Sequence, residues 1–540
     1  MFISKKRSKQ NPNVYVQLVE SYRQDGKMNQ RVIKHIGTAP SEEHLEKIIK
    51  LANEIKEMFL QNISTKKIEI YHKQEINKIN GTGNLIQNCV PIKRIAKGLQ
   101  EIYGKIFDAM GLKQIITSKT NYAEIIKNIV IGRIACLGSK RKTCEQLEKK
   151  FNKKYSLSAL YRAMDKLTPE TIELIQAKIC NYNKSLLNNE IKVLFYDATT
   201  IYFESFNDDE LRRLGYSKDL KFSQPQIILT MLITASGLPL GYQVFPGNTY
   251  EGNTLLMAMS YWKKLYPQQK ITLVADSGML NEINLSTLEQ DGFDYIVCAR
   301  LKSFSKSLKK QIIDTKHQGE GAGDYYYNLD IGSRRLIISY RENRAIKDRY
   351  DRNKAINNLK TKLKTSRSPA TLISNYGYKK YITIDSGSEI TLNEDKIIEA
   401  EKWDGLHGLI TNIKDLNAED VYGYYRGLWQ IEDAFRLNKT DLEIRPIFHW
   451  TPDRIKAHMA ISYIAYCCYK IVEFKVNQEL NEKISHRAIK ELLDEIETII
   501  YEDQNTREQF MMPTPSSEKA QTIYKIFNQE LICKPCRYTA

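Results

Sequence analysis

The sequence predicts an α/β protein in which a domain of alternating strands and helices follows a small basic β-module and a helical domain. Three observations predict it. Between Lys192 and Arg300, short apolar runs rich in Val, Ile and Tyr alternate with helical periodicities. From Ile92 to Leu186 the apolar spacing stays helical throughout. Ahead of both, two strand-like runs flank the turn Gln24-Asp25-Gly26, and Asp-Gly is a strong hairpin signal.

At 540 residues the chain is long enough for roughly three or four domains with separate cores. Its 42% hydrophobic and 27% charged residues are those of a soluble globular protein. The longest apolar run, MAISYIAYCCY from Met459, falls short of the about eighteen residues of a membrane span. The N-terminus MFISKKRSKQ has no apolar signal segment behind its charges, so a cytoplasmic protein without a membrane partner is expected. Lys and Arg outnumber Asp and Glu by 81 to 64, and the net charge of +17 favours a polyanionic partner such as nucleic acid. AT-rich coding, which enriches Lys, Ile, Asn and Tyr, contributes to the same excess. Most of the nine cysteines sit in apolar runs and read as reduced core thiols. The one CxxC, Cys533 and Cys536, has no second pair, so no zinc site is expected.

Residues 1–84 read as a basic hairpin followed by a helix over 41–60 and a polar connector ending in NGTGN (80–84). Val14, Val16 and Leu18 alternate with polar positions there, and the hairpin suits DNA contact or a solvated edge equally. Residues 85–190 form a helical domain, with Thr168 as N-cap and Pro169 opening its last helix. That domain could bind DNA or serve packing alone. Residues 191–302 run β-β-β-α-β-α-β, which puts Asp197 of VLFYDATTIYF near the end of the first strand and Asp276 of ITLVADSGM near the end of the fourth. Residues 303–404 depart from that alternation, with DYYYNLDI, RRLIISY and a highly charged stretch, and are too long for a loop. An insertion domain is expected. Residues 405–474 resume the core with HGLITN and two helices, and 475–540 form a polar helical tail.

One stretch organises the rest. YYRGLWQIEDAFRLNK (424–439) reads as a single helix. At 100° per residue Tyr425, Leu428, Glu432 and Lys439 fall at about 0°, 300°, 340° and 320°, one face about 21 Å long with a single acid in its middle. Leu428, Ile431 and Phe435 form the adjoining apolar stripe that would seat it. An ordinary amphipathic core helix with a solvated acid has the same pattern.

Two aspartates near strand ends and a glutamate on a later helix supply the hard oxygen ligands that two-metal phosphoryl transfer needs. Strand-end aspartates also make Asx turns, so each acid has an ordinary structural alternative. The wider pattern is more specific. YDATTIYFE (196–204), GYSKD (215–219), PQIIL with GLPLGYQVFPGN (225–248), VADSGM (274–279), WDGLHGLITN (403–412), YRGLWQIEDAFRLNK and RPIFHWTPDRIKAH (445–458) together resemble bacterial insertion-sequence transposases of the DDE type, over most of the chain.

That resemblance implies an RNase H-like catalytic core interrupted by a β-rich insertion. It carries Asp197, Asp276 and Glu432 over as catalytic, metal-binding residues for two Mg²⁺ ions, with Mn²⁺ as an alternative. The family's helical signature of Tyr, Arg, Glu and Lys is met by Tyr425, Glu432 and Lys439, whereas Leu428 stands where that pattern has Arg. Arg436 and Arg426 are the nearby candidates for the missing phosphate contact, joining Tyr425 and Lys439 as nucleic-acid-binding residues. The activity implied is DNA transposition: binding of double-stranded DNA at terminal inverted repeats, cleavage at the element ends, and joining to target DNA by a homodimer. An RNase H-like nuclease without strand transfer, or a catalytically inactive DNA-binding descendant, are the alternatives.

Overall fold

Asp25 and Gly26 both take positive φ, 51° and 73°, the type I′ geometry that lets two residues join twisted strands. The hairpin they close has gained a strand. β1 (Phe2–Arg7), β2 (Val14–Gln24) and β3 (Lys27–Ala39) form a three-stranded antiparallel sheet. Val16, Leu18 and Ile36 pack there with Ile48, Leu51 and Ile55 of α1 (Glu42–Leu60). Ser41 caps α1 as Oγ accepts from the His44 amide at 3.3 Å. The computed structural model describes residues 1–7, 13–79, 89–116, 121–204, 207–216, 221, 223–265, 271–279, 281–318, 323–365, 381–384, 390–504, 506–531 and 534–538. Residues 80–84, 217–219 and Cys533 of the CxxC lie outside them.

After α2 (Thr65–Ile79) and β4 (Cys89–Ala96) come the expected helices α3 (Lys97–Ala109), α4 (Tyr122–Ala135), α5 (Lys140–Phe151), α6 (Leu157–Met164) and α7 (Pro169–Leu186). Thr168 Oγ1 accepts from the Thr171 amide at 3.3 Å, so Pro169 opens α7 behind a working cap. The mixed region follows as β5 (Val193–Tyr202), β6 (Gln226–Thr234), β7 (Pro239–Pro246), α8 (Glu251–Leu265), β8 (Thr272–Ala275), α9 (Glu282–Gln290) and β9 (Asp294–Cys298). Its order is the one that the sequence predicts.

The stretch after β9 contains α10 (Lys306–Gln318), β10 (Tyr325–Ile331), β11 (Arg334–Tyr340), α11 (Glu342–Thr365), β12 (Ile382–Ile384), β13 (Ile390–Leu392), α12 (Glu394–Glu401) and β14 (Leu406–Thr411). β10, β11 and β14 extend one eight-stranded sheet, in the order β10-β11-β14-β9-β8-β5-β6-β7. β8 runs parallel to both β5 and β9, and every other neighbour is antiparallel. The chain continues as α13 (Ala418–Arg426), α14 (Trp429–Thr440), α15 (Pro452–Leu480), α16 (His486–Asp494), β15 (Glu497–Asp503), β16 (Gln509–Pro513), α17 (Glu518–Ile526) and β17 (Cys536–Arg537). The tail is therefore not wholly helical. β17, β16, β15 and β4 form a four-stranded sheet, pairing the tail with a strand about four hundred residues earlier, a partnership that local periodicity does not reveal.

By compactness the chain divides into Met1–Ile95 with Thr498–Thr514 and Ile532–Ala540, and Ala96–Glu497 with Pro515–Leu531. Among the described residues no helix is long and apolar enough to cross a membrane.

Candidate functional site

β5 is buried on both faces, so its side chains sort by parity. Phe195 joins a core with Leu428, Ile431 and Phe435, whereas Leu194 and Tyr196 join another with Trp262 and Leu285. Asp197 shares the parity of Phe195. On β8, Val274 belongs to the first core and Ala275 to the second, so the same alternation carries Asp276 to the Phe195 side. Register aligns Tyr196 with Ala275, making Asp197 and Asp276 the next residues on parallel neighbours whose backbones are about 4.8 Å apart. Asp197 lies in mid-strand rather than near a strand end as expected. β5 outruns its pairing with β8 and continues along β6, where Asp197 faces Met231.

The stretch 424–439 is two helices, not one. Gly427 and Leu428 stay in the right-handed region, with ψ of −11° and −25°, but bond tightly. Gly427 N donates to Tyr424 O, Leu428 N to Tyr425 O, and Gln430 N to Gly427 O, each at 3.0 Å in the i to i+3 pattern. A Cβ on Gly427 would lie 2.4 Å from Phe195 Cζ, so only glycine fits where this tight turn meets β5. Tyr425 thus ends α13 and Glu432 begins α14. Leu428 is 8% exposed and packs in the core, the place that the apolar stripe assigns it.

Tyr425 is half-buried within reach of the Asp276 charge. Its ring lies 5.4 Å from that of His407, and His407 Nε2 meets Cys298 Sγ at 3.4 Å. Burial, then neighbouring Arg344, pushes the His407 imidazole down to about 4, with Asp276 opposing. Burial raises the Tyr425 phenol and the Cys298 thiol, and the Asp276 charge adds to both. Tyr422 fixes this floor by donating to His407 O at 2.7 Å while accepting from Ser339 N at 3.1 Å. Sequence reasoning gave His407 and Cys298 no role. Each stands in a largely apolar strand, LHGLIT and DYIVC.

The remaining candidates are dispersed along α13 and α14. Arg426 is exposed and donates to Tyr326 Oη at 3.0 Å, while exposed Arg436 pairs with Asp433 and Lys439 is half-buried. Asp197 Oδ1 accepts from Ala198 N at 2.7 Å. Among the described residues neither Asp276 nor Glu432, both exposed, has a hydrogen bond or ion pair. No three His, Cys, Asp or Glu side chains there are gathered into a metal cage. The donor set still suits a hard divalent cation. Two carboxylates lie on one sheet face and a third on the helix covering it.

Comparison with known proteins gives this arrangement a family. The model for the transposase DDE domain matches residues 188–468, more than half of the chain, and that for the N-terminal domain of IS1634 family transposases matches residues 3–65. A search of curated proteins returned no match. Among solved structures, the piggyBac transposase synaptic complex with hairpin DNA is similar at 9% identity, covering 73% of this chain and 77% of that one, with a TM-score of 0.39. The Mos1 transposase paired-end complex with left transposon end matches at 14% identity over 33% of this chain and 59% of that one, with a TM-score of 0.15. The Mos1 mariner paired-end complex with Mn matches at 14% identity over 29% and 54%, with a TM-score of 0.14. The chain belongs to the DDE transposase family and is an insertion-sequence enzyme of the kind that cleaves and joins DNA with divalent metal ions.

Proposed function

We propose that Asp197, Asp276 and Glu432 are the catalytic triad of this transposase and hold two Mg²⁺ ions, with Mn²⁺ able to replace them. One observation carries the reading: the two aspartates are in-register neighbours on the sheet face that the Glu432 helix covers, and Asp276 and Glu432 carry no other bond among the described residues. The order β7-β6-β5-β8-β9, antiparallel and then parallel, supports an RNase H-like core. Bound there, the ions would activate the attacking oxygen and steady the leaving one.

The chain's own residues position the DNA. Tyr425, Arg426, Arg436 and Lys439 border Glu432 along α13 and α14 and would contact the phosphates of the terminal inverted repeats. Attack of water breaks a phosphodiester at each element end and frees a 3′-OH. That hydroxyl then attacks a target phosphodiester, forming the new strand and releasing the target's own 3′-OH. Both ends must be held together for this, which we read as a homodimer on DNA, working in the cytoplasm. We read 85–190 as a further DNA-binding domain. Intact acids at all three positions argue against an inactive descendant.

The test is purified protein with its element's ends, Mg²⁺ and a target plasmid. Cleavage and joined products are expected, and Asp197→Ala, Asp276→Ala and Glu432→Ala should each abolish both while retaining end binding in a gel shift. Cleavage without joining would indicate the nuclease alternative. Any one variant cleaving at the wild-type rate removes that residue from the triad.

A further inference from the structure

The hairpin β2–β3 extends far beyond the module it belongs to. Val14, Val16, Leu18 and Val19 are buried, but all twelve residues from Ser21 to Val32 are exposed while remaining in regular antiparallel register. A two-stranded ribbon with no covering layer is marginal in water. This one projects about 17 Å from Val19 to its turn, twice the depth of a DNA major groove.

Its faces differ. Register places Tyr22 opposite Asn29 and Gln24 opposite Lys27, with Arg31 opposite Glu20, all on one face; Ser21, Gln30, Arg23 and Met28 share the other. The first face presents Gln24, Lys27, Asn29 and Arg31, the side-chain types whose donors match purine edges in the major groove. Arg31 is held ready: Nε and Nη2 reach Glu20 Oε2 at 3.0 and 2.8 Å, and its guanidinium lies 5.8 Å from the Tyr22 ring centroid. An exposed pair of this kind exchanges at little cost for a base or phosphate. The edge strand β1 adds Lys5, Lys6 and Arg7, all exposed, on the same sheet. Between Ser21 and Val32 three cations stand against one acid, Asp25, so the complementary partner is a polyanion.

We propose that this ribbon enters the DNA major groove and reads base sequence with its Asn29–Arg31 face, while β1 follows the phosphates. The inference rests on the reading that the transposase binds its own terminal repeats. It differs from that reading in assigning the choice of sequence to residues remote in the chain from Glu432.

The experiment selects binders from a randomised duplex library with the full-length protein, without metal so that no cleavage intervenes. Wild type should enrich a motif, and methylation of guanine N7 within it should block binding. Asn29→Ala and Arg31→Ala should each flatten one or two positions, lowering the ratio of affinities for selected over scrambled duplex about tenfold. Gln30→Ala, on the opposite face, should keep the ratio. Because all three positions are exposed on a regular hairpin, circular dichroism should be unchanged. Wild-type ratios in both Asn29→Ala and Arg31→Ala, with wild type still selecting and cleaving its ends, would overturn the ribbon and leave end binding intact. A wild-type protein that enriches no motif would overturn both.

Discussion

Glu432 and Asp433 are neighbours on α14, yet Asp433 is paired with Arg436 whereas Glu432 has no bond among the described residues. The same contrast separates Asp276 from Asp404. Asp276 is exposed and unbonded, while Asp404 is 7% exposed and accepts from Arg352 Nη1 at 2.5 Å, with Glu401 holding the other guanidinium nitrogen at 3.3 Å. An acid that stabilises the fold is matched to a cation in place. An acid kept for a ligand is left unmatched, and its loss should be felt in rate rather than in stability.

The largest expected effect tests the unmatched set. Asp276→Asn and Glu432→Gln should lower end cleavage at least about a thousandfold, roughly 4 kcal/mol of barrier. Thermal unfolding should shift by no more than about 2 °C, since no buried partner is orphaned. A large loss of melting temperature would place the residue with the matched acids. The converse holds for Asp404→Ala. It leaves the Arg352 guanidinium buried and half-paired, and should cost about 3 to 5 kcal/mol in denaturant unfolding while cleavage per folded molecule is retained.

A third region breaks the pattern from the other side. Arg133 on α4, Lys140 at the start of α5, and His449 and His458 are each 6% exposed or less and stand together without a bonded carboxylate among the described residues. Arg133 Nη2 donates to Glu443 O at 2.7 Å and meets His458 Nε2 at 3.3 Å. Burial, with Arg133 adding to it, pushes Lys140 down to about 7, and burial followed by Lys140 pushes His449 down to about 4. A lowered basic group opposes protonation in the fold. Stability should therefore fall as pH drops from 10.5 to 7 on account of Lys140, and again from 6.5 to 4 on account of His449. Glu473 is the opposite case: His486 and Lys470 hold its carboxyl down at about 2 despite its burial, so its contribution is kept until pH falls below 4.5. Lys140→Met should raise stability at pH 7 by about 1 to 4 kcal/mol and flatten the slope between pH 7 and 10, as read by melting curves. An unchanged slope would mean that Lys140 is solvated.

These regions differ in how far the sequence exposed them. Local signals located the Thr168 cap, the Asp25-Gly26 turn and the order of strands and helices from β5 to β9, because each depends on neighbours in the chain. The pairing of β14 with β9, and of the tail with β4, depends on residues far apart, which no periodicity encodes. The site shows the same division. The strand run carried both Asp197 and Asp276, but their adjacency depends on the register of β5 with β8, and the close approach of Phe195 to Gly427 is a contact across the core. Helical angles measured through that break misplace Tyr425 relative to Glu432.

The smallest effect concerns the cation we propose to stand in for the expected Arg at Leu428. Restoring it is not free of consequence, because Leu428 is 8% exposed in the core and Leu428→Arg must carry a guanidinium out past Phe195. Arg436 and Arg426 remain the proposed substitutes, and each is already engaged, with Asp433 and with Tyr326 Oη at 3.0 Å. Both bonds are at the surface, where an ion pair is worth about 0 to 1 kcal/mol, so a DNA phosphate can displace either partner. Arg436 is favoured because it lies one turn beyond Glu432 on the same helix, whereas Arg426 precedes the break. Arg436→Ala should weaken end binding by about 1 kcal/mol, the lower end of the 1 to 3 kcal/mol of a charge-assisted contact, because relinquishing Asp433 offsets part of the gain. Asp433→Asn should then tighten binding slightly by freeing the guanidinium. Gel-shift affinities for element ends that do not change in Arg436→Ala, in Arg426→Ala or in Asp433→Asn would leave Tyr425 and Lys439 to hold the DNA without a third partner on these helices.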